Sequence, residues 1–374
     1  MDLEFTAEQE ELRSSVRAVL ERECPITLAR EVVEKGIVAD RLWQRIVALD
    51  WPSLTVPEEY GGMGLGMIEL AVLMEETGAA IAPIPLLSTL GLFVPTVVEA
   101  GTPGQREQFL RPVTAGAVAT VAVAERSGSW DPAHVGATAR VDGDEVVLGG
   151  TKYYVLDADR ATEVVVAARL DDAVVLVVVP GDDISAIPTP TVDGTRPLWS
   201  VPLDGVRVSA DRLLGGPVDR TAALRRALDQ AVVALSLDLL GTCTTIMSIA
   251  LDYAKVREQF GVKIGSFQAM KHKLADMFVA LEAAQATVYH GAAAIAEDDE
   301  RRALAASMAK SLVGDCQRRL AQEGIQTLGG IGYTWEHDMH LYVKRSLASA
   351  ALLGTTEEHR ARVADLLIER ASRG

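Results

Sequence analysis

Tyr253-Ala-Lys-Val-Arg257-Glu-Gln-Phe260-Gly261-Val-Lys263-Ile264-Gly-Ser-Phe267-Gln268 and, further along, Gln326-Thr-Leu-Gly329-Gly330-Ile-Gly332-Tyr333-Thr334-Trp335-Glu336 interrupt an otherwise continuous helical pattern. Before, between and after these stretches, apolar residues recur at helical spacing. That spacing predicts helices over 220–257, 267–297, 299–323, 338–352 and 355–372. The glycines mark the breaks between them. Residues 214–374 are therefore expected to form a helical domain like a four-helix bundle.

Upstream the pattern changes. Over 113–213, short β-branched runs at 118–124, 137–141, 145–148, 152–156, 163–168 and 173–179 are separated by turn residues. Asp142-Gly143-Asp144 is a hairpin signal between two of them. Such runs, with no long helix between them, predict a small antiparallel β domain. Residues 1–112 return to helical spacing. Phe5, Leu12, Val16, Val19 and Leu20 mark a first helix over 2–23, and Thr6 with Gln9 forms a capping-box pattern at its start. Further helical runs at 43–49, 68–77 and 86–99 are divided by Pro57, Gly61-Gly62 and the Pro83/Pro85 pair. The expected class is α+β, in the order helices, β domain, helices, with no internal repeat.

Composition narrows the function. The 374 residues carry 36 Lys+Arg against 52 Asp+Glu, a formal charge of −16. No dense basic run is present, so nucleic acid is excluded as a partner. A hydrophobic content of 49% with 24% charged residues excludes a disordered chain. Cys24, Cys243 and Cys316 form no Cys-x-x-Cys pair, which suggests a reducing compartment and no disulfide framework. Met1-Asp2-Leu3-Glu4-Phe5 lacks the basic-then-apolar order of a signal peptide. The apolar stretch at 231–251 is long enough for a membrane, yet it contains Ser236 and Asp238, so a buried core helix is expected. A cytoplasmic chain with no membrane partner is the expectation.

Common catalytic signatures are missing from the sequence. It has no Gly-x-Ser-x-Gly elbow, no His-Glu-x-x-His and no Walker A loop. His337 and His340, with Glu336 and Asp338, imitate a metal cluster, but a further ligand is not evident. A polar helix start, with its acids favouring the N-terminal dipole, is expected instead, and no metal is assigned. The glycines of 61–66 lie between helices rather than between a strand and a helix, so they read as a turn and not as a dinucleotide loop.

Together with Pro57-Glu58-Glu59-Tyr60-Gly61-Gly62, the two interrupting stretches resemble, in order, the patterns of the acyl-CoA dehydrogenase family, whose members are FAD-dependent. The helix–β–helix order is also that of the family, so the resemblance covers nearly the whole chain. It implies that Arg257, Phe260, Gly261, Gln268, Gln326, Gly329 and Gly330 contact the adenosine and pyrophosphate of an FAD shared across a subunit interface. The residue types suit that role. A glycine pair lets backbone N–H groups approach an anion closely, and Arg257 offers a charged fork to phosphate. Phe260 can pack on the adenosine, and Gln268 and Gln326 can hydrogen-bond it.

Dehydrogenation also needs a base for the substrate α-proton. The resemblance puts that base, a Glu in most members, at Leu353, and in some members at Ala231; neither side chain accepts a proton. Leu156 stands where the family usually has a hydroxyl beside the flavin ring, and the loop Ala124-Glu125-Arg126-Ser127-Gly128-Ser129-Trp130 is shortened. Such a pattern is similar to the companion subunit of actinobacterial α2β2 heterotetrameric acyl-CoA dehydrogenases that act on steroid side-chain CoA thioesters. It implies a catalytic partner subunit, an acyl-CoA substrate of the complex, an electron-transfer flavoprotein as acceptor, and an inactive isolated chain. One alternative is a self-sufficient enzyme with its base relocated to Asp229, Glu357 or Glu358. On a helix, a shift of one or two residues turns such a side chain by roughly 100° or 200°, off the substrate face. The other alternative is a structural relative without FAD contact.

Overall fold

In the computed structural model, residues 5–373 are described, and the expected helix start at residue 2 lies outside them. The capping box forms. Thr6 Oγ1 accepts from Gln9 N at 3.2 Å, and Gln9 Oε1 accepts from Thr6 N at 3.0 Å. The first helix, α1 (Ala7–Glu23), is followed by α2 (Ile26–Lys35), α3 (Asp40–Val47), α4 (Met67–Ala79), α5 (Val94–Ala100) and α6 (Pro103–Thr114). Within the expected 86–99 run, Leu87–Phe93 is a wide π-type turn rather than α-helix.

The 61–66 loop is a turn, and its backbone N–H groups are bonded within the chain. The N–H groups of Gly61, Gly62, Met63, Gly64 and Leu65 donate to the carbonyls of Glu58, Pro57, Ser53, Val56 and Leu54. Gly66 N donates to Glu69 Oε2 at 3.0 Å. Every donor that could have cradled a phosphate is engaged inside the chain.

The middle region corrects one expectation, because it is not purely antiparallel. Strands β1 (Ala119–Ala122), β2 (Thr138–Asp142), β3 (Glu145–Gly149), β4 (Thr151–Leu156), β5 (Glu163–Leu170), β6 (Ala173–Pro180), β7 (Ile187–Thr189), β8 (Leu198–Pro202) and β9 (Arg207–Ser209) form two sheets. The larger runs β1-β5-β2-β3-β9 with β6 on β5, and the smaller runs β4-β8-β7. Both β1 and β2 pair parallel to β5, through Ala119↔Glu163 and Thr138↔Arg169. β5 and β6 are buried on both faces, as continuous Val-rich strands are in sheets covered on both sides. Val165 and Ala167 face a core shared with the helices, whereas Val164, Val166 and Ala168 face a separate core within the sheet region. The Asp142-Gly143-Asp144 hairpin, joining β2 to β3, and the β5–β6 hairpin, closed by Asp171-Asp172, are the local pairings.

The C-terminal helices fall close to their expected ranges: α7 (Thr221–Val256), α8 (Gln268–Ala296), α9 (Arg302–Leu328), α10 (Met339–Ala351) and α11 (Thr356–Arg373). A two-stranded hairpin, β10 (Glu258–Gln259) and β11 (Val262–Lys263), joins α7 to α8. α7 is long and apolar enough to cross a membrane, but 78% of its most apolar window is buried, against α4, α8, α9 and α10 among others. Its approach to α4 is backbone to backbone. A Cβ on Gly241 would lie 1.9 Å from Glu75 O, and one on Gly78 would lie 2.0 Å from Asp238 O.

A buried charge cluster ties the layers together. Arg345 Nε on α10 meets Asp193 Oδ2 at 2.8 Å, and its Nη1 lies 3.4 Å from Asp238 Oδ2 on α7. Arg196 Nη2 reaches the same Asp238 oxygen at 2.7 Å.

Candidate functional site

The end of α7 presents the first group of predicted residues. Arg257 N donates to Tyr253 O, and Ile264 N donates to Arg257 O, each at 2.8 Å, so the backbone is fixed while the guanidinium is exposed. That guanidinium has no hydrogen bond or ion pair to any described residue. Phe260 (φ 53) and Gly261 (φ 78) are both left-handed, as a two-residue primed hairpin turn requires. Holding a phenylalanine there costs about 1–2 kcal/mol, and the turn carries its ring out to 93% exposure. The Phe260 ring touches Phe267 edge-on, with centroids 6.4 Å apart.

Gln268 opens α8 and is exposed, as is Gln326 on the last turn of α9. Lys273 Nζ and Glu323 Oε2, 2.7 Å apart, tie the first turns of α8 to the last turns of α9. The structure thus brings Arg257, Phe260, Gly261 and Gln268 to the same end of the helices as Gln326, Gly329 and Gly330. A Cβ built on Gly329 or Gly330 would meet no atom of the described residues within 4 Å. Space beside these glycines opens outward. Nearby apolar side chains are exposed as well, with Tyr333 at 77%.

Leu353 lies elsewhere, on the turn between α10 and α11. It is buried with φ 58, and its carbonyl is bonded to His359 Nε2 at 2.9 Å. It lines a cavity of about 720 Å³ bounded by the 129–134 loop, α7, α9 and α11. Ala231 does not line this cavity and is packed in the core. Asp229 and Val232 do line it, sharing one helix face at i,i+3. Asp229 thus faces the cavity that Leu353 lines, whereas Ala231 does not. Burial pushes the Asp229 carboxyl up, opposed by Arg362, whose Nη1 lies 2.8 Å from Oδ1. Glu358 also lines the cavity, but it accepts from Thr355 N at 2.7 Å as a helix cap. Glu357 is exposed and pairs with Arg318 at 3.0 Å.

Leu156 ends β4 as a buried core residue, and Tyr154 (φ 58) and Asp157 (φ 48) flank it in left-handed conformations. The preceding loop is fastened inward. Glu125 Oε1 accepts from Lys152 Nζ at 2.7 Å, Ala137 N at 2.7 Å and Gly136 N at 2.8 Å. Against the pull of burial, these donors hold the Glu125 carboxyl below its usual range. Burial lowers Lys152, opposed by Glu125. Lysine in a strand pattern reads as exposed, so this buried pair carried no sequence signal.

The 336–340 segment is a helix start. His337 Nδ1 accepts from Met339 N at 3.0 Å, and Asp338 pairs with Arg30 at 2.6 Å. Among the described residues, no group of three or more His, Cys, Asp or Glu could hold a metal ion.

Comparison with known proteins places this geometry. Residues 6–117 match the acyl-CoA dehydrogenase N-terminal domain, and residues 221–368 match the acyl-CoA dehydrogenase C-terminal domain. The acyl-CoA dehydrogenase IpdE2 of Mycolicibacterium smegmatis is 30% identical over 358 residues, spanning 95% of this chain and 97% of that protein. The chain belongs to the acyl-CoA dehydrogenase family. A Tcur3481-Tcur3483 steroid ACAD variant superposes with a TM-score of 0.88 at 32% identity, covering 98% of this chain and 99% of that one. Butyryl-CoA dehydrogenase from Megasphaera elsdenii shares the fold, with a TM-score of 0.92 at 23% identity over 98% of this chain and 100% of that one. In this acyl-CoA dehydrogenase chain the two regions differ in character. The 253–268 and 326–336 surface turns unpaired groups outward, while the loop at 125 and the turn at 353 are held by internal bonds.

Proposed function

We propose that the chain is the companion, non-catalytic subunit of a heteromeric, cytoplasmic FAD-dependent acyl-CoA dehydrogenase. The complex would convert an acyl-CoA, with a steroid side chain as the acyl group, to its 2-enoyl-CoA and pass electrons to an electron-transfer flavoprotein. The observation that carries this reading is Leu353, a buried hydrocarbon side chain where the cavity would need a proton acceptor. The similarity to the Tcur3481-Tcur3483 steroid ACAD supports both the steroid and the paired assembly.

Bound FAD supplies a hydride acceptor. The residues present fit its adenosine and pyrophosphate when these approach from outside the chain. Gly329 and Gly330 leave open space at the surface, the Arg257 guanidinium lacks an internal partner, and Phe260 offers an exposed ring. These residues, with Gly261, Gln268 and Gln326, would hold that end of a partner's FAD. Buried Leu156 offers no donor to a flavin ring, and losing one such hydrogen bond costs about 1 kcal/mol.

The isolated chain is expected to show almost no flavin absorbance in the visible. Addition of the catalytic partner should restore it, with half as many FAD molecules as chains. A full complement of FAD in a homo-oligomer of this chain alone would overturn the companion reading. One observation favours a second reading, a self-sufficient enzyme, because Asp229 faces the same cavity as Leu353. Its engagement by Arg362 argues against that role. Asp229→Asn is accordingly expected to leave the turnover of the assembled complex within about twofold, whereas a positioned base contributes roughly 10²–10⁴-fold.

A further inference from the structure

Lys310, on α9, is fully buried. Its Nζ donates to Ser349 O at 2.5 Å and to Ala350 O at 3.0 Å, in the last turn of α10. A neutral amine has two N–H donors and an ammonium three. Two acceptors satisfy the amine, whereas the extra N–H of the ammonium meets no partner among the described residues. No described carboxylate pairs with it.

The charged and titratable groups around Lys310 come from four elements. Arg196, in the loop before β8, donates from Nη1 to Ser349 Oγ at 2.9 Å. From α11, His359 holds Leu353 O, and burial pushes its ring down to about 4, so it is neutral. Behind them stand Arg345 of α10, Asp238 of α7 and Asp193 of the same loop as Arg196. With Lys310 neutral, Arg196 and Arg345 balance Asp193 and Asp238. With Lys310 charged, the cluster holds three cations against two carboxylates in surroundings that screen little. Ser349 and Ala350 lead directly into the turn that places Leu353 in the cavity wall.

We propose that Lys310 is a proton-controlled latch: as the neutral amine it fastens the end of α10 to α9, and on taking up a proton it loosens the 349–356 turn and the 193–197 loop, opening the cavity wall. This holds whatever chemistry the cavity hosts. Burial, with Arg196 adding to it, lowers Lys310 from its ordinary 10.5 to about 7. The unfolded chain keeps this proton up to about 10.5, so between about 7 and that value the native state binds fewer protons. Stability therefore rises with pH across this window and is insensitive to this group below it.

The test is amide hydrogen exchange on the full chain at about pH 6 and about pH 8, corrected for intrinsic rates, with Lys310→Met and Lys310→Gln alongside. In the wild type, peptides covering 193–197 and 349–356 are expected to lose protection by about tenfold at the lower pH, while the rest of α9 is unchanged. Both variants should abolish that difference. The proposal is overturned if the wild type shows no local response, if its response is spread over the whole chain, or if a variant responds as the wild type does. Should neither variant fold, the wild-type pattern alone decides.

Discussion

Arg257→Ala in the assembled complex is expected to weaken FAD retention by about 10- to 100-fold while leaving the fold intact. A hydrogen bond to a charged group is worth about 1.5–3 kcal/mol, and each 1.36 kcal/mol is a factor of ten. The arginine side chain makes no hydrogen bond or ion pair with any described residue. Its backbone is held by Tyr253 and Ile264, and its guanidinium is free, so a stability change should be negligible. Flavin absorbance after gel filtration, set beside the thermal midpoint, separates the two effects. Arg257→Lys should recover part of the loss, since lysine supplies the charge without the planar fork. Flavin content unchanged by Arg257→Ala would leave only a scaffold role for this surface.

Arg345→Met should cost about 3–5 kcal/mol, a large share of the roughly 5–15 kcal/mol that holds a domain together. The arginine side chain is fully buried and donates to Thr195 Oγ1 at 2.7 Å besides meeting Asp193 and Asp238. Removing it leaves the Asp193 carboxylate with Thr195 donors but no described cation, and leaves Asp238 to Arg196 alone. Denaturant unfolding at neutral pH measures the loss. Adding Asp193→Asn to the variant should recover part of it, because the stranded charge rather than the missing contact dominates. A double variant no more stable than Arg345→Met would refute that account.

The helices were readable because most of α8 to α10 bury one side along their length, and such a stripe imprints its period on the sequence. The sheets were less so. β5 is recognisable as a strand, but its parallel partners β1 and β2 lie far away in sequence and leave no local mark. The β10–β11 hairpin was hidden for a related reason, since its turn uses Phe260 where a glycine or asparagine would be diagnostic. Of the candidate residues, Arg257 and the Gly329-Gly330 pair stood out only through the resemblance of their stretches, in order, to the family's motifs. The face on which Asp229 lies depends on the rotation of α7, which the α4 contact sets and no local pattern reveals. Lys310 carries no sequence signal, because lysine in a helical pattern is ordinarily exposed. Only its depth in the fold shows otherwise.

The β5 strand, whose alternate residues enter different cores, also bears on how such a subunit can diverge. Changes at Val165 or Ala167 are felt by the helices that share their core, while changes at Val164, Val166 or Ala168 stay within the sheet region. A lineage can therefore retune helix packing and sheet packing separately. One strand answers to two selective constraints, residue by alternate residue.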